Sequence, residues 1–411
     1  MKVAVVGLGE EGFSALQSLL KHGHQVYGSD LNVNLDISMD DYKDVCEIDL
    51  GFHNWDKIND ADAVVFSPSL WKNNIVNRLK DKNKIFSNVF KQHRKLFTIG
   101  VTGTNGKTTT SFMIRDILEN AGYKVLVGGN AGGGFNGYTE LMLEAPLNNY
   151  DFIVVEVCDM TLDFSSYNFN FDMMVVTNLG YDHMNVHNNM AHFKETMAKF
   201  LEDKKAVLNK NDEILSTLGG IPEEIHYYNT YDGELHLIGK FNRENAAAAC
   251  KVGELVGVPF KIIKEALSSF EAVHGRVTEF NLEGTRVIIG KTDNPSALIP
   301  LFNEYEFDMA ILGTPRENEQ WRFNIFKELA DFKLRSVILF PGLDETTNIA
   351  EKELLKSGFE GTVQIIKSTA EVTKYISSHY REFNSIFIGG NGQAKILEIK
   401  DYLEYNFDIN P

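Results

Sequence analysis

The octapeptide Thr102-Gly103-Thr104-Asn105-Gly106-Lys107-Thr108-Thr109 is the segment whose residue types and spacing most directly indicate chemistry. Its two glycines allow backbone N–H groups to close around phosphate oxygens, and Lys107 supplies a cation for the β and γ phosphates of a nucleotide. The hydroxyl of Thr108 can ligate Mg²⁺. The general phosphate-loop pattern has its first glycine where this chain has Val101, so the match is to a variant of the pattern. The segment predicts an ATP site.

A carboxylate and two histidines follow on later predicted strands. Glu156 lies near the end of the apolar run 152–157, where a buried carboxylate without a partner is costly, so a metal or another cation is the expected partner. An ordinary ion pair with a structural lysine is the alternative. His183 and His187 are four residues apart and could form a zinc pair, but no third ligand is evident nearby.

The octapeptide, together with the Asp182-His183 pair in the segment 178–187, resembles the Mur ligases. These are ATP-dependent amide ligases that build the peptide of bacterial peptidoglycan, with relatives that extend folylpolyglutamate and archaeal pseudomurein peptides. The resemblance covers most of the chain. It implies that Thr108, Glu156 and His183 bind Mg²⁺, and that ATP and Mg²⁺ are the cofactors. The catalytic residues that it implies are Lys107, Glu156, His183 and Arg276.

One expected residue of that family is missing from the sequence. Most Mur ligases carry a lysine, modified by CO₂ to a carbamate, about fifteen residues after the Asp-His pair, where it supports a second magnesium ion. The corresponding position here is Met197. Lys194 and Lys199 lie close by, and either a shift in register makes one of them the carbamylated lysine or both are solvated residues of a helix.

The last part of the chain carries matches to the family's ATP-binding residues. Asn242 and Asn245 resemble the asparagines near the adenine, although a helix cap and a helix surface would also explain them. Arg276 would place a forked guanidinium against the transferring phosphate. Lys291 matches a substrate-binding lysine of the family. The aspartate that leads this motif in relatives is absent, and Asp293 is the only local carboxylate.

Two further cations are candidates for the incoming amino acid. Arg316 and Lys395 each follow a glycine-containing turn and are expected to face the carboxylate of that amino acid.

The N-terminal segment carries the predicted substrate-binding residues of a nucleotide-linked precursor. The glycines of its Gly-x-Gly-x-x-Gly loop and the acidic residue that ends the next strand also fit a dinucleotide site. By resemblance, Ser67 belongs to a Ser-Pro segment, and Asn130 to a Gly-Asn-x-Gly segment, of the D-glutamate-adding ligase. Glu10 and Glu11 would be unfavourable beside a diphosphate. The predicted substrate-binding set is Gly7, Gly9, Gly12, Asp30, Ser67, Asn130 and Lys291.

Strand-like apolar runs that alternate with helical patterns position these residues and predict an α/β protein with parallel sheets. Breaks in the apolar pattern predict three domains, at 1–94, 95–234 and 235–411. The resemblance implies a Rossmann-like N-terminal domain for a UDP substrate and a central P-loop ATPase domain. It also implies a Rossmann-like C-terminal domain that contacts the adenine and the amino acid.

Composition limits the remaining classes. The 411 residues carry a net charge of −17, which argues against nonspecific nucleic-acid binding and favours small-molecule partners, here a nucleotide-sugar or peptide precursor and an amino acid. No apolar run is long enough to span a membrane and no signal peptide is evident, so a cytoplasmic location is expected. Cys46, Cys158 and Cys250 lack paired metal spacing and predict reduced thiols.

These observations predict an ATP-dependent acid–amino-acid ligase that works through an acyl phosphate on a peptidoglycan or pseudomurein precursor. The sequence leaves two alternatives open. One is a similar ligase that acts on a cofactor or another carboxylate outside the cell wall. The other is a nucleotide-binding protein that has lost turnover together with the missing aspartate.

Overall fold

The computed structural model describes residues 1–35, 42 and 44–407, apart from the side chain of Lys72. Three β-sheets follow one another along the described chain, and helices pack against them. Most strands are buried on both faces, which explains why they read as continuous apolar runs rather than as alternating patterns. The predicted α/β fold is confirmed.

The first sheet is entirely parallel, in the order β3-β2-β1-β4. Its strands are β1 (Lys2–Val6), β2 (Gln25–Asp30), β3 (Glu47–Leu50) and β4 (Ala63–Phe66). The associated helices are α1 (Glu10–Lys21), α2 (Trp55–Asp60), α3 (Pro68–Lys72) and α4 (Phe86–Val89). The carboxyl ends of β1, β2 and β4 place Gly7, Asp30 and Ser67 at the same edge of the sheet.

The second sheet is also parallel, in the order β10-β9-β8-β5-β7-β6. Its strands are β5 (Phe97–Thr102), β6 (Val125–Gly129), β7 (Phe152–Glu156), β8 (Met173–Val176), β9 (Lys205–Asn209) and β10 (Glu224–Tyr228). The helices between them are α5 (Lys107–Asn120), α6 (Gly137–Glu144), α7 (Leu162–Asn168), α8 (Met184–His187) and α9 (Met190–Leu201). The octapeptide therefore joins a central strand to a helix, as predicted.

Two further helices, α10 (Lys240–Leu255) and α11 (Phe260–Ser268), pack on the second sheet. Small side chains of α10 and the apolar face of α11 share one core with α5, through residues such as Ala246 and Ile263. The boundary predicted at 235 stays a prediction, because a break in apolar pattern does not show which sheet the next helix covers. We propose that the boundary lies in the segment 269–277, before the third sheet.

The third sheet has the order β11-β12-β16-β13-β14-β15. Its strands are β11 (Thr278–Leu282), β12 (Thr285–Ile289), β13 (Met309–Gly313), β14 (Ser336–Phe340), β15 (Thr362–Ile365) and β16 (Ser385–Gly390). Its helices are α12 (Pro295–Glu304), α13 (Asn324–Leu329), α14 (Thr347–Lys356), α15 (Thr369–His379) and α16 (Gln393–Asn406). Strand β11 runs antiparallel to β12, because a two-residue connection permits only a hairpin, and the other neighbouring strands of this sheet run parallel.

Within the described residues, no helix combines the length and the apolarity needed to cross a bilayer. The three cysteines are buried and unpaired by disulfides, in agreement with the predicted thiols.

Candidate active site

A cavity of about 670 Å³ lies between the carboxyl edge of the second sheet and the loops of the third. It collects most of the predicted ATP, metal and catalytic residues. These are Thr104, Asn105, Gly106, Lys107, Thr108, Thr109, Glu156, His183, Asn242, Asn245 and Arg276, together with the predicted substrate residues Asn130 and Lys291. Gly103 lies beneath the loop, where a Cβ atom would come within 2.2 Å of the Thr177 hydroxyl oxygen. The tertiary fold thus joins residues that are up to about 190 positions apart in the chain.

The loop before α5 has the geometry of a phosphate-binding turn. Gly106 precedes the helix with a φ of 84°, a left-handed conformation that favours glycine, and a Cβ atom there would lie 2.2 Å from Asn245 Oδ1. The Lys107 ammonium donates to the carbonyl oxygens of Gly103 and Thr104, at 2.7 and 2.9 Å. Burial alone would lower the pKa of Lys107, but nearby carboxylates, with Asp159 foremost, outweigh burial and raise it. The lysine is therefore a permanent cation beside the loop.

Thr108, Glu156 and Arg276 form a hydrogen-bonded cluster that connects the second sheet to the segment before the third. The Thr108 hydroxyl donates to Glu156 Oε2 at 2.5 Å and accepts from Arg276 Nη2 at 2.5 Å. Arg276 Nη2 also donates to the Gly133 carbonyl, and its buried Nε has no hydrogen-bond partner among the described residues. A hydroxyl, a buried carboxylate and an unsatisfied guanidinium N–H around a glycine loop fit Mg²⁺ and phosphate oxygens.

The two asparagines predicted near the adenine lie in the first turns of α10, beside the loop. Asn245 Nδ2 donates to Asn242 Oδ1 at 3.1 Å, and Asn242 Nδ2 donates to the Ile238 carbonyl. Both side chains are buried and line the cavity. Both asparagines are carried by α10, which packs on the second sheet.

His183 lines the cavity at the start of α8, in a left-handed conformation with a φ of 51°. Such a conformation is uncommon for a residue with a side chain and is held here by Asp182, whose Oδ1 accepts from the His183 backbone N–H at 2.8 Å. The His183 imidazole is partly exposed, 3.8 Å from Asp182 Oδ2. His187 does not pair with it in a zinc site, because the His187 ring is buried against Asp159.

Arg322 is the cation at the centre of a second charged cluster, and sequence reasoning missed it. Its guanidinium contacts Asp182 Oδ1 at 3.4 Å, Asp293 Oδ2 at 3.3 Å and Asn391 Oδ1 at 3.1 Å. Lys291 Nζ lies 3.2 Å from the same Asp293 oxygen. Burial alone would raise the pKa of Asp293, but Lys291 and Arg322 outweigh it and hold the pKa well below its usual range.

Asp159 is a further buried carboxylate at the cavity wall. His187 Nε2 lies 2.8 Å from Asp159 Oδ2, and the His187 ring stacks on Phe193. Burial raises the pKa of Asp159, but the His187 hydrogen bond and the Lys107 charge lower it to about 2. The cavity wall therefore carries an ionised carboxylate, Asp159, near the phosphate loop.

Three of the lysines considered in the sequence, Lys194, Lys199 and Lys395, do not line the central cavity. Lys194 and Lys199 do not belong to the residues that line the central cavity; Lys199 is exposed and lines a separate cavity with α7. The face of α9 that points into the protein carries Met197, fully buried in the core. Lys395 donates to the Pro341 carbonyl instead of pointing to the cavity, whereas Arg316 lines it.

The predicted N-terminal substrate residues form a separate group at the edge of the first sheet. Asp30 Oδ2 accepts from the Leu8 backbone N–H at 2.6 Å, so this carboxylate orders the glycine loop. Gly7 (φ 89°) and Gly12 allow the loop to pack closely, since a Cβ on either would overlap Ser67 or the Gly7 carbonyl. Gly7, Gly9, Gly12, Asp30 and Ser67 do not line the central cavity, among the residues the structure describes. Glu10 is the residue of this loop that does.

Sequence signals for the missed residues differ in strength. Asp182 stands in a segment that the sequence already singles out, and Asp293 was identified as the only local carboxylate. Arg322 has no such signal, because it lies in a 3₁₀ helix (Gln320–Phe323) outside every motif and reaches the site only through the fold.

Comparison with known proteins identifies the class to which this geometry is related. Residues 101–232 match the Mur ligase middle domain. The chain is 30% identical to the UDP-N-acetylmuramoylalanine--D-glutamate ligase of Thermosipho africanus, over 68% of this chain and 69% of that protein. It is 27% identical to the enzyme of the same name from Clostridioides difficile, over 91% and 89% of the two chains.

A solved structure, a pseudomurein peptide ligase type C from Methanothermus fervidus, superposes with a TM-score of 0.61 at 21% identity. The match covers 97% of this chain and 99% of that one. At this identity the similarity establishes a shared fold.

Proposed function

The chain belongs to the Mur ligase family, and on that basis we propose that it joins an amino acid to a carboxylate of a nucleotide-linked cell-wall precursor while ATP is converted to ADP and phosphate. The observation that carries this proposal is the Thr108–Glu156–Arg276 cluster. It combines a phosphate loop, a metal-binding carboxylate and an arginine from another part of the chain within hydrogen-bonding distance.

The residues of the phosphate loop would neutralise the triphosphate. Lys107 and Arg276 bring two cations to the loop, and the backbone N–H groups at the start of α5 add a positive helix end. Thr108, Glu156 and His183 would hold Mg²⁺, which when bound polarises the phosphate oxygens and offsets their charge. Phosphoryl transfer depends mainly on such positioning and charge neutralisation.

The proposed reaction has two steps, phosphoryl transfer to the acceptor carboxylate and then formation of the amide. An oxygen of the acceptor carboxylate attacks the γ phosphorus, the bond to the bridging oxygen breaks, and ADP leaves. The amine of the amino acid then attacks the acyl phosphate carbon, the amide bond forms, and phosphate leaves as the amine loses a proton. Water must be excluded while the acyl phosphate exists. Asn105 and Asn294 exchange hydrogen bonds at the cavity wall and thereby connect the phosphate loop to the third sheet.

The cluster around Arg322 is the proposed site of the incoming amino acid. Lys291, Arg316 and Arg322 are cations that suit its carboxylate, and Asp293 suits its ammonium group. The low pKa of Asp293 makes it a poor proton acceptor, so we assign it to orienting the amine. In this proposal Asp293 substitutes for the aspartate that is missing before Lys291.

A lysine carbamate has no part in the proposal. Lys199 lines another cavity and Met197 fills the core, whereas Asp159 offers an ionised carboxylate at the wall of the central cavity. Asp159 is therefore the proposed support for a second magnesium ion.

The test is phosphate release from ATP, measured with purified protein and Mg²⁺. We expect release only when both an acceptor and an amino acid are present, starting with UDP-N-acetylmuramoylalanine and D-glutamate, the pair in the relatives' name. Mass spectrometry of the product must show the corresponding amide. No stimulation by any pair of UDP-linked acceptor and amino acid would reject the cell-wall assignment, and absence of ATP binding would reject the ligase mechanism.

A further inference from the structure

His22, Glu140 and Glu144 converge where the end of α1 packs against α6, far along α1 from the glycine loop. His22 Nε2 lies 3.4 Å from Glu140 Oε2 and 3.5 Å from Glu144 Oε1. The three ligand atoms all lie within 4.8 Å of one another. None of these residues takes part in the site described above.

These spacings match the geometry of a bound metal ion. A tetrahedral zinc ion with bonds of about 2.1 Å to nitrogen and oxygen separates its ligand atoms by about 3.4 Å. The two distances from His22 Nε2 are close to that value. An imidazole nitrogen with two carboxylates is a donor set that suits zinc and similar transition metals better than Mg²⁺.

The second observation is that the facing atoms lack hydrogen-bond partners. Glu140 Oε2 and His22 Nε2 are both buried atoms without a partner in the described part of the chain, and the Glu140 side chain is only 8% exposed. Lys21 Nζ contacts the other Glu140 oxygen, Oε1, at 2.5 Å and lies farther, at 4.0 Å, from Glu144 Oε1. A buried carboxylate oxygen that faces an unpaired imidazole nitrogen is costly unless the imidazole carries a proton there or a metal cation lies between the two atoms.

We propose that His22, Glu140 and Glu144 bind a zinc-class divalent cation that fastens α1 to α6. Lys21 keeps the second Glu140 oxygen occupied, so each ligand residue presents one atom to the ion, and a water can take the fourth position. With two carboxylates, one lysine and one divalent ion, the cluster carries a net charge of about +1, which its partly exposed edge can solvate.

The position of the site gives the ion a structural role. Helix α1 begins at Glu10 and Glu11, and the backbone N–H of Ala131 donates to Glu11 across the same interface. In the middle of α1, the Ser14 hydroxyl donates to the Asn136 carbonyl at 2.6 Å. A metal at His22 would fasten the C-terminal end of α1 to α6. It would thereby fix the position of the first sheet relative to the loop that lines the ATP cavity. This inference does not depend on the proposed function.

The experiment measures Zn²⁺ binding to untagged, nucleotide-free protein by calorimetry in excess Mg²⁺, with Co²⁺ absorption as a probe of tetrahedral geometry. We expect one Zn²⁺ per chain, and an affinity at least about tenfold weaker in His22→Gln and in Glu144→Gln. Zn²⁺ should also raise the Tm of the wild type and not that of these variants.

Two control variants identify other sources of binding. His226→Gln removes a partly exposed histidine that lies 2.6 Å from the Glu224 carboxylate, and should leave Zn²⁺ binding unchanged. Glu156→Gln removes the carboxylate at the phosphate loop and should also leave it unchanged. If His22→Gln does not fold, Glu144→Gln provides the same test. Zn²⁺ binding that is absent, or that both ligand variants retain, would overturn the proposal and leave a simple ion pair of protonated His22.

Discussion

Glu11 is a residue whose environment reverses the expectation from its charge. The sequence places Glu10 and Glu11 in the glycine loop, where their negative charges would disfavour a diphosphate. Only Glu10 lines the central cavity, whereas Glu11 is partly buried and accepts a hydrogen bond from the Ala131 backbone N–H. Burial and the nearby charges of Glu10 and Glu156 raise the pKa of Glu11 to about 8, against the partial effect of that hydrogen bond. At neutral pH, Glu11 is therefore mainly protonated and adds little negative charge.

This shifted pKa predicts a pH dependence of stability. Between the ordinary value of 4.5 and about 8, the folded protein keeps a proton on Glu11 that the unfolded chain has lost. Stability must then fall as pH rises, by at most about 1.4 kcal/mol per pH unit. We expect Glu11→Gln, which keeps the acceptor oxygen, to lose less Tm than the wild type between pH 5.5 and 8. Parallel Tm curves for the two proteins would contradict the assigned pKa.

Substitutions of Lys107 and Lys199 distinguish a lysine that binds phosphate from a lysine that carries a carbamate. Lys107→Ala removes the cation at the phosphate loop, and we expect a decrease of about 100- to 1,000-fold in kcat for ATP-dependent ligation. Lys199→Ala, at an exposed position outside the central cavity, should retain the wild-type kcat. Steady-state phosphate release with saturating substrates measures both. Loss of activity in Lys199→Ala that short carboxylic acids restore would favour the lysine carbamate instead.

At the scale of elements, Asn294 at the N-terminus of α12 caps this helix and also contacts the second sheet. Asn294 Oδ1 accepts from the Ala297 backbone N–H at 2.9 Å and caps the helix. Its amide group also donates to Asp182 Oδ2 at 3.2 Å and to Asn105 Oδ1 at 3.1 Å. The cap thereby links the third sheet to the phosphate loop of the second.

A comparison of two helix caps tests this link. Asn294→Ala and Ser368→Ala, the cap of α15, should each lower stability by about 1 kcal/mol. Only Asn294→Ala should also lower kcat/KM for ATP, by about tenfold, because a hydrogen bond to a charged group contributes about 1.5 kcal/mol. Equal kcat/KM values in the two variants would show that the α12 cap is purely structural.

At the scale of the whole molecule, Arg322 holds the second and third sheets together through carboxylates from both. It lies between Asp182 and Asp293 and is 7% exposed. Removal of one cation from a buried cluster leaves charges without compensation, a situation that costs far more than the loss of a surface ion pair.

We therefore expect Arg322→Met to lower stability by about 3–5 kcal/mol. Arg381→Met is the matched control, since Arg381 forms an exposed ion pair with Glu283, and its loss should cost about 0–1 kcal/mol. Thermal unfolding of the wild type and both variants in one buffer measures the difference. A similar Tm for the two variants would show that the buried cluster does not hold the sheets together.

The sequence by itself predicts the residues of the ATP site. The glycine loop, Lys107, Thr108 and Glu156 depend on a strand, a turn and a helix that are close in the chain, and local patterns suffice to predict them. The α/β class follows for the same reason, because buried parallel strands read as continuous apolar runs. The matching asparagines and Arg276 were found through resemblance to known motifs.

Only the tertiary structure brings together the residues of the proposed amino-acid site and shows which sheet α10 covers. Arg322 reaches Asp182 across 140 positions of sequence, and no local pattern encodes such a contact. The assignment of α10 to the second sheet, the burial of Met197 and the protonation of Glu11 likewise depend on which surfaces pack together. Long-range packing sets burial and charge environment, and these two quantities decide which candidate side chains can act.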